Sequence, residues 1–266
     1  MRSMTNPAVP DVSATLPSGA LMPLLGFGTW QITGPDAVRA TAAALQSGYR
    51  HIDTATIYGN EREVGEALAQ SGVPRSDVFV TTKLPADRAG SELDTMKESL
   101  DLLGVDQVDL WLIHWPPPAE QGVDVWQAVT QAKEHGLARD VGVSNYSLDQ
   151  IDELTKATGV TPAVNQIRWS PLLFDRAQLA GHRERGVVLE GYSALRGGTL
   201  EHPVIAGIAE STGRTPAQVI LQWHLQHETV AIPKSTNEER IASNADLAGF
   251  ELSADDMGAL DALGVA

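Results

Sequence analysis

Four side chains that together could deliver a proton lie at or just after short apolar segments in the first half of the sequence: Asp53, Tyr58, Lys83 and His114. Tyrosine ionises with a pKa of about 10 and is a poor acid at neutral pH. An ammonium group within about 4–6 Å favours the phenolate and lowers that pKa, and a carboxylate beside the ammonium keeps it charged. A histidine can orient a carbonyl oxygen by hydrogen bonding. The set predicts a general acid directed at a substrate carbonyl, which needs a hydride source to complete a reduction.

Each of these residues also has an ordinary interpretation when it is taken alone. A loop tyrosine is commonly half-buried packing, and a lysine at a strand end is usually a solvated surface group. Asp53 could cap the following loop, and His114, which precedes Trp-Pro-Pro-Pro, could be a packed core histidine. The chemical interpretation requires a fold that brings all four side chains together.

The elements that would position these residues alternate along the chain. Eight short apolar segments are typical of buried parallel strands, and they cover residues 24–30, 49–55, 78–84, 108–115, 138–145, 163–169, 187–195 and 229–233. Helical patterns cover residues 36–47, 61–70, 91–103, 123–135, 147–156, 175–185, 203–211, 237–247 and 254–263. One more helix is expected to begin at Pro216, with Thr215 as its N-cap. Ser91 and Asp94 predict a capping box.

Eight strand–helix units without a linker or a composition break predict an α/β protein, a closed (β/α)8 TIM barrel that forms a single domain over residues 15–266. A doubly wound sheet is the alternative. It would normally show G-x-G-x-x-G after its first strand, where this chain has only Gly26-Phe27-Gly28. Residues 16–23 predict a β-hairpin that caps the bottom of the barrel. Residues 1–14 are expected to form a mobile tail.

The composition narrows the classes of function. A net charge of −15 disfavours a nucleic-acid partner, and the absence of cysteine excludes disulfides, zinc ribbons and thiol nucleophiles. No apolar run could span a bilayer, and residues 1–20 lack the apolar core of a secretory signal. His224 and His227 are interpreted as packed or solvated, not as metal ligands. We therefore expect a cytoplasmic monomer or weak homodimer that acts on a small molecule, with no metal and no membrane partner.

Seven motifs occur in order at family spacing: HIDTATIYGNEREVGEAL, VFVTTKL, DLWLIHWP, VGVSNY, NQIRWSP, GYSAL and IPKSTNEERIASN. Through them the chain resembles the aldo-keto reductase superfamily over residues 16–260, and most of all the bacterial group that includes the 2,5-diketo-gluconic acid reductases. The resemblance implies reduction of aldehydes and ketones with NADPH. It implies that Tyr58 is the general acid, that Lys83 and Asp53 lower its pKa, and that His114 orients the carbonyl.

The resemblance also implies that NADP(H) binds on the barrel without a dinucleotide fingerprint. The positions that match the family's cofactor contacts are Thr29, Trp30, Asp53, Ser144, Asn145, Gln166, Tyr192, Ser193, Leu195, Lys234, Ser235, Arg240 and Asn244. Ser144, Asn145 and Gln166 would bind the nicotinamide carboxamide. Tyr192 would stack on the nicotinamide, Ser193 and Leu195 would contact the pyrophosphate, and Asn244 would contact the adenine.

The residues expected to bind the 2′-phosphate of NADP are also suited to an anion on physical grounds. Lys234 and Arg240 flank Ser235 near the start of a helix, where anions are favoured. Arginine can grip a phosphate with two hydrogen bonds, so the pattern favours NADP over NAD. Glu238 and Glu239 should face away from such a site.

Trp30, Tyr58, His114 and Trp115 are the expected substrate contacts. The loop after Trp115 is short and the sequence ends soon after its last helix, so an open, undiscriminating pocket is expected. This chain has Arg168 where many relatives have glutamate.

Two other functions remain open at this point. Lys83 could act as a Schiff-base nucleophile, as in barrel aldolases, although an ion-paired ammonium is a poor nucleophile. The chain could also be an NADP-binding regulatory module without turnover.

Overall fold

A hairpin and a closed barrel of eight parallel strands make up the sheet structure of the computed structural model, which describes residues 9–264. The hairpin consists of β1 (Ser13–Thr15) and β2 (Leu21–Pro23). The barrel strands follow as β3 (Phe27–Gly28), β4 (His51–Asp53), β5 (Phe79–Leu84), β6 (Val108–Ile113), β7 (Ala138–Ser144), β8 (Val164–Arg168), β9 (Val188–Tyr192) and β10 (Val230–Ala231). Each barrel strand pairs in parallel with the next one along the chain. The predicted (β/α)8 barrel is confirmed.

The barrel closes where β10 meets the chain just before β3. Leu25 and Ala231 form a parallel bridge, and the amide of Gly26 donates to the Ala231 carbonyl at 2.8 Å. A Cβ on Gly26 would lie 2.5 Å from Nδ1 of His51, and one on Gly28 would lie 2.9 Å from the carbonyl oxygen of Ile232. These two glycines therefore allow close packing at the barrel seam.

Ten helices surround the barrel within the part of the chain that the structure describes. They are α1 (Pro35–Gln46), α2 (Glu61–Gln70), α3 (Glu92–Leu103), α4 (Gly122–Glu134), α5 (Leu148–Thr158), α6 (Arg176–Glu184), α7 (Pro203–Thr212), α8 (Pro216–Gln226), α9 (Glu238–Ala245) and α10 (Ala254–Asp261). All ten were predicted, and the predicted ends agree within two residues, except that for α8 only the start had been predicted. None of the helices between residues 9 and 264 is long and apolar enough to cross a bilayer.

The helix caps confirm one prediction and correct another. Thr215 and Gln218 form a capping box at the start of α8, with Thr215 at ψ 154°. Ser91 precedes α3 with ψ 27°, and its side chain makes no capping hydrogen bond. The predicted Ser91–Asp94 capping box is therefore wrong, because the backbone at Ser91 lacks the extended conformation that a capping side chain needs.

The hairpin lies at the bottom of the barrel, where the strands begin. Ser18, in its turn, donates a hydrogen bond to the carboxylate of Asp140 near the start of β7. The carbonyl of Pro23 lies 3.4 Å from Nδ1 of His51, at the start of β4. The predicted capping hairpin is confirmed. Of the expected tail, residues 1–8 lie outside the described residues, and Ser13 and Ala14 belong to β1.

Candidate active site

Lys83 lies on β5 with no exposed surface, and all three hydrogens of its ammonium group are used. The group donates to both carboxylate oxygens of Asp53 at 2.7 Å and to the carbonyl of Thr54 at 2.8 Å. The amide of Gln166, on β8, donates to Asp53 at 2.9 Å from across the barrel. Burial is the largest influence and lowers the pKa of Lys83, but Asp53, Tyr58 and Glu190 together outweigh it, and the net pKa is raised. Lys83 is therefore a fixed cation inside the barrel.

Tyr58 ends a short 3-10 turn that follows β4. The turn is held on β5 because the hydroxyl of Thr56 donates to the Lys83 carbonyl at 2.9 Å. The Lys83 ammonium lies 5.1 Å from the centre of the Tyr58 ring. Burial raises the pKa of Tyr58, Lys83 lowers it, and Asp53 raises it again. The lysine thus acts in the predicted direction, but the expected net lowering of the tyrosine pKa is wrong because burial outweighs it.

His114 follows β6 and packs edge-on against the Tyr58 ring, with ring centres 5.6 Å apart. Burial, followed by the charge of Lys83, lowers the pKa of His114 to about 3, so the ring is neutral near pH 7. Its Nδ1 is buried without a hydrogen-bond partner among the described residues. A proton on Nδ1 would be a buried donor without an acceptor. The neutral ring therefore carries its proton on Nε2.

A second network of hydrogen-bonded side chains connects the ends of β7, β8 and β9. The hydroxyl of Ser144 donates to the Gln166 carbonyl at 2.8 Å. The amide of Asn145 donates to the His114 carbonyl at 3.1 Å, and the phenol of Tyr192 donates to the amide oxygen of Asn145 at 2.8 Å. These contacts fix the Tyr192 ring beside the end of β7.

Strained backbone is concentrated at the same end of the barrel. Gln31, Asn145 and Ser193 have positive φ values of 59°, 65° and 57°. Each such residue costs of order 1–3 kcal/mol, and residues of this kind cluster at functional sites. Asn145 and Ser193 directly follow β7 and β9, and Gln31 follows Trp30. The strain marks this end of the barrel as a functional site.

A cavity of about 680 Å³ opens at the carboxyl ends of the strands. Most of the predicted site residues line it, namely Trp30, Asp53, Tyr58, His114, Trp115, Ser144, Asn145, Gln166, Tyr192, Ser193, Leu195, Lys234, Ser235, Arg240 and Asn244. Two predicted residues do not. Lys83 is wholly buried and pairs with Asp53. Thr29 is also buried, and its amide and hydroxyl both donate to the Asp53 carbonyl at 3.0 Å.

The end of the cavity near the start of α9 is basic. Lys234 and Arg240 line it, and both are exposed. Asn237 caps α9 by accepting from the Arg240 amide at 2.9 Å. The Glu238 carboxylate lies 3.9 Å from Nε of Arg39, and neither Glu238 nor Glu239 lines the cavity.

Sequence reasoning missed several lining residues: Ile57, Ala194, Arg196, Leu200, Pro216 and Ala217. Arg196 stacks on Trp30, with its guanidinium carbon 4.9 Å from the ring centre. The signal for Arg196 was its place in the loop directly after Leu195. Arg168 is exposed and does not line the cavity, but its charge opposes the burial that raises the pKa of Tyr192.

Known proteins share both this sequence and this fold. The chain matches the model of the Aldo/keto reductase family over residues 24–265. An aldo-keto reductase of Mycolicibacterium smegmatis is 47% identical over 253 residues, which cover 94% of this chain and 92% of the relative. A crystal structure of an aldo/keto reductase from Brucella melitensis is 42% identical, with a TM-score of 0.91 over 96% of this chain and 100% of that chain. The aldose reductase from Schistosoma japonicum is 30% identical, with a TM-score of 0.89 over 95% and 92%.

These matches confirm the resemblance to the aldo-keto reductase superfamily that the seven motifs indicated. They cover nearly the whole length of both chains, so the likeness is not confined to one domain of a longer relative. The chain therefore belongs to the aldo/keto reductase family and is an oxidoreductase.

Proposed function

We propose that this protein reduces aldehydes and ketones to alcohols with NADPH, and that Tyr58 is the general acid. The observation that carries the proposal is the buried Lys83–Asp53 ion pair beside the Tyr58 ring, with a neutral His114 edge-on to that ring. A fixed cation next to a phenol stabilises the phenolate that remains after the proton has been given away. The reverse reaction, alcohol oxidation, would use the phenolate as a base.

The residues that line the cavity fit NADP(H). The side chains of Asn145 and Gln166 offer amide groups that match a carboxamide, and Tyr192 offers a fixed ring for stacking. Lys234 and Arg240 offer positive charge near the start of α9, where a phosphate is favoured. When bound, the cofactor would supply the hydride that the protein itself lacks. The basic end supports NADPH over NADH.

The protein's own residues would handle the proton. The phenol of Tyr58 would give its proton to the carbonyl oxygen of the substrate, and Nε2–H of His114 would hydrogen-bond the same oxygen and orient it. Lys83 would stabilise the resulting phenolate, and Asp53 would keep Lys83 charged. Solvent would then return the proton to Tyr58. Positioned proton transfer of this kind contributes about 10²–10⁴-fold to a rate.

The substrate end of the cavity is apolar. Trp30, Ile57 and Trp115 surround it, with exposed fractions of 41%, 57% and 51%. Large apolar side chains that remain exposed beside a cavity favour an apolar substituent on the carbonyl. We therefore propose a small carbonyl compound with an aromatic or aliphatic substituent as the substrate class.

The Schiff-base alternative has little support. An amine nucleophile must be neutral and reachable, whereas Lys83 is wholly buried with a raised pKa. The Lys83 ammonium uses all three of its hydrogens in hydrogen bonds to Asp53 and Thr54. Borohydride trapping with a carbonyl substrate, without cofactor, should leave the mass of the protein unchanged.

A carbonyl panel assayed with NADPH and with NADH tests the proposal. The panel should contain aromatic aldehydes, aliphatic ketones and a 2,5-diketo sugar acid, because the sequence resembles reductases of that acid. We expect oxidation of NADPH with the apolar carbonyls and a weaker reaction with NADH. Tight binding of NADPH without turnover of any carbonyl would favour the regulatory module instead.

A further inference from the structure

Glu190 is a carboxylic acid inside the barrel that the proposed reaction does not use. It lies on β9, in register with Gln166 of β8, and its side chain has no exposed surface. Among residues 9–264, neither of its carboxyl oxygens has a hydrogen-bond partner, and the Gln166 amide donates to Asp53 instead. An ionised carboxylate without partners in such a place would be costly. The geometry therefore favours the neutral acid.

The nearest basic group does not make Glu190 an ion pair. Nε2 of His51, on β4, lies 3.7 Å from a carboxyl oxygen of Glu190, which is too far for a hydrogen bond. The same nitrogen lies 3.2 Å from the hydroxyl of Thr81. Burial lowers the pKa of His51 to about 4, so the ring is neutral at pH 7. His51 therefore supplies no positive charge to Glu190.

The charged and titratable groups around Glu190 form the proton-transfer unit. Asp53 and His51 face it from β4, Lys83 faces it from β5, and Tyr58 faces it from the turn after β4. Burial and then Asp53 raise the pKa of Glu190, the nearby Gln166 amide and Lys83 lower it, and the net value is about 8. An ionised Glu190 would in turn raise the pKa of Tyr58. Lys83 cannot offset this charge with a hydrogen bond, because its three hydrogens are already used.

We propose that Glu190 is a positioning residue of this unit: it remains protonated at neutral pH and so leaves Lys83 with one carboxylate counter-charge instead of two. With Glu190 neutral, the charge of Lys83 is offset only by Asp53 and can stabilise the Tyr58 phenolate. When Glu190 releases its proton to solvent in alkaline solution, its negative charge opposes the phenolate. The inference rests on the proposed function, because it assigns the acid role to Tyr58.

The test is the pH profile of alcohol oxidation by Glu190→Gln, in which an amide of the same size replaces the neutral acid. Around neutral pH the kcat of the variant should equal that of the wild type. In alkaline solution the rise in kcat that reports the Tyr58 phenolate should move to lower pH by roughly half to one unit, because a nearby negative charge is gone. A purely structural role would change kcat by the same factor at every pH.

Glu61→Gln is the matched control. Glu61 is also buried, with a raised pKa, but it belongs to α2 and accepts from the hydroxyl of Thr82 at 2.6 Å. Lys83 lowers the pKa of Glu61 too, but the charged groups that chiefly shift the pKa of Tyr58 are Lys83, Asp53 and Glu190. Its variant should keep the wild-type profile. Superimposable profiles for Glu190→Gln and the wild type, or an equal shift in Glu61→Gln, would overturn the inference. If Glu190→Gln does not fold, Glu190→Met takes its place, with the same expected shift.

The wild type in the same assay separates this inference from the proposed function. Turnover by the wild type with an unshifted Glu190→Gln profile would refute the role of Glu190 alone. No turnover of any carbonyl or alcohol by the wild type would refute the proposed function.

Discussion

The two ends of the barrel use buried charge in opposite ways. At the bottom, each buried carboxylate has several donors. Asp109 accepts from Arg75 at 2.8 Å, and Asp140 accepts from Lys133 at 2.9 Å and from Ser18 in the hairpin. These pairs tie helices and the hairpin to the beginnings of the strands.

At the top, the polar groups are only partly satisfied. The Lys83–Asp53 pair is complete, but Nδ1 of His114 has no partner among residues 9–264, and neither has either carboxyl oxygen of Glu190, which lies deeper in the barrel, between this site and His51. The residues with positive φ, apart from the glycines and Glu228, also lie at this end. The contrast teaches that the bottom is built for stability, whereas the top keeps reactive groups at a cost in stability.

The largest expected effect is on activity at the top. Tyr58→Phe removes the hydroxyl that we propose gives the proton, and it should lower the rate of carbonyl reduction by about 10²–10⁴-fold or more. NADPH binding, measured by fluorescence titration, should stay close to the wild type because the ring is kept. A large loss of NADPH affinity in this variant would show that the role of Tyr58 is misassigned.

A pair of lysine variants tests the contrast directly. Lys83→Met leaves Asp53 buried without its cation and should cost about 3–5 kcal/mol in the free energy of unfolding, together with activity. Lys133→Met at the bottom should cost less, about 1–2 kcal/mol, because Ser18 still donates to Asp140 and Lys133 is partly exposed. Its kcat should be that of the wild type. Denaturant unfolding measures the stability of each variant, and initial rates measure its activity. Equal losses of activity in Lys83→Met and Lys133→Met would contradict the difference between the two ends of the barrel.

The basic end of the cavity is tested by Arg240→Ala. Loss of a charged hydrogen-bond donor to the 2′-phosphate should weaken NADPH binding by about 10–100-fold and NADH binding much less. Arg39→Ala is the control, because Arg39 pairs with Asp36 and Glu238 and does not line the cavity. Equal weakening of NADPH and NADH by Arg240→Ala would refute the phosphate role.

A further expected effect is a pH dependence of stability that originates inside the barrel. The folded state raises the pKa of Glu190 to about 8, against about 4.3 for an exposed glutamate. The folded protein therefore binds the extra proton between these values, and this stabilisation is lost as the pH rises toward 8. Glu190→Gln should flatten the profile of unfolding free energy in that range, whereas the exposed Glu134→Gln should not. Identical profiles for wild type and Glu190→Gln would contradict this.

Much of the fold and of the site could be predicted from sequence. The strands and helices could be predicted because hydrophobic periodicity is a local property of the sequence. Asp53, Lys83 and His114 could be placed together because the ends of parallel strands lie at one edge of the barrel. Arg196 was missed because its place over Trp30 depends on the path of a loop after a strand. The net pKa of Tyr58 was misjudged because burial depends on the packing of the whole barrel, which no motif encodes.

The burial of Lys83 has a practical consequence for chemical modification. Amine acylation needs a free, exposed amine, so surface lysines would react while Lys83, without exposed surface, would be spared. Lys234 is exposed at the cavity and would react. Coupling the protein to a support through its amines should therefore spare Lys83 but disturb the proposed preference for NADPH over NADH, unless NADPH is added as a protecting agent.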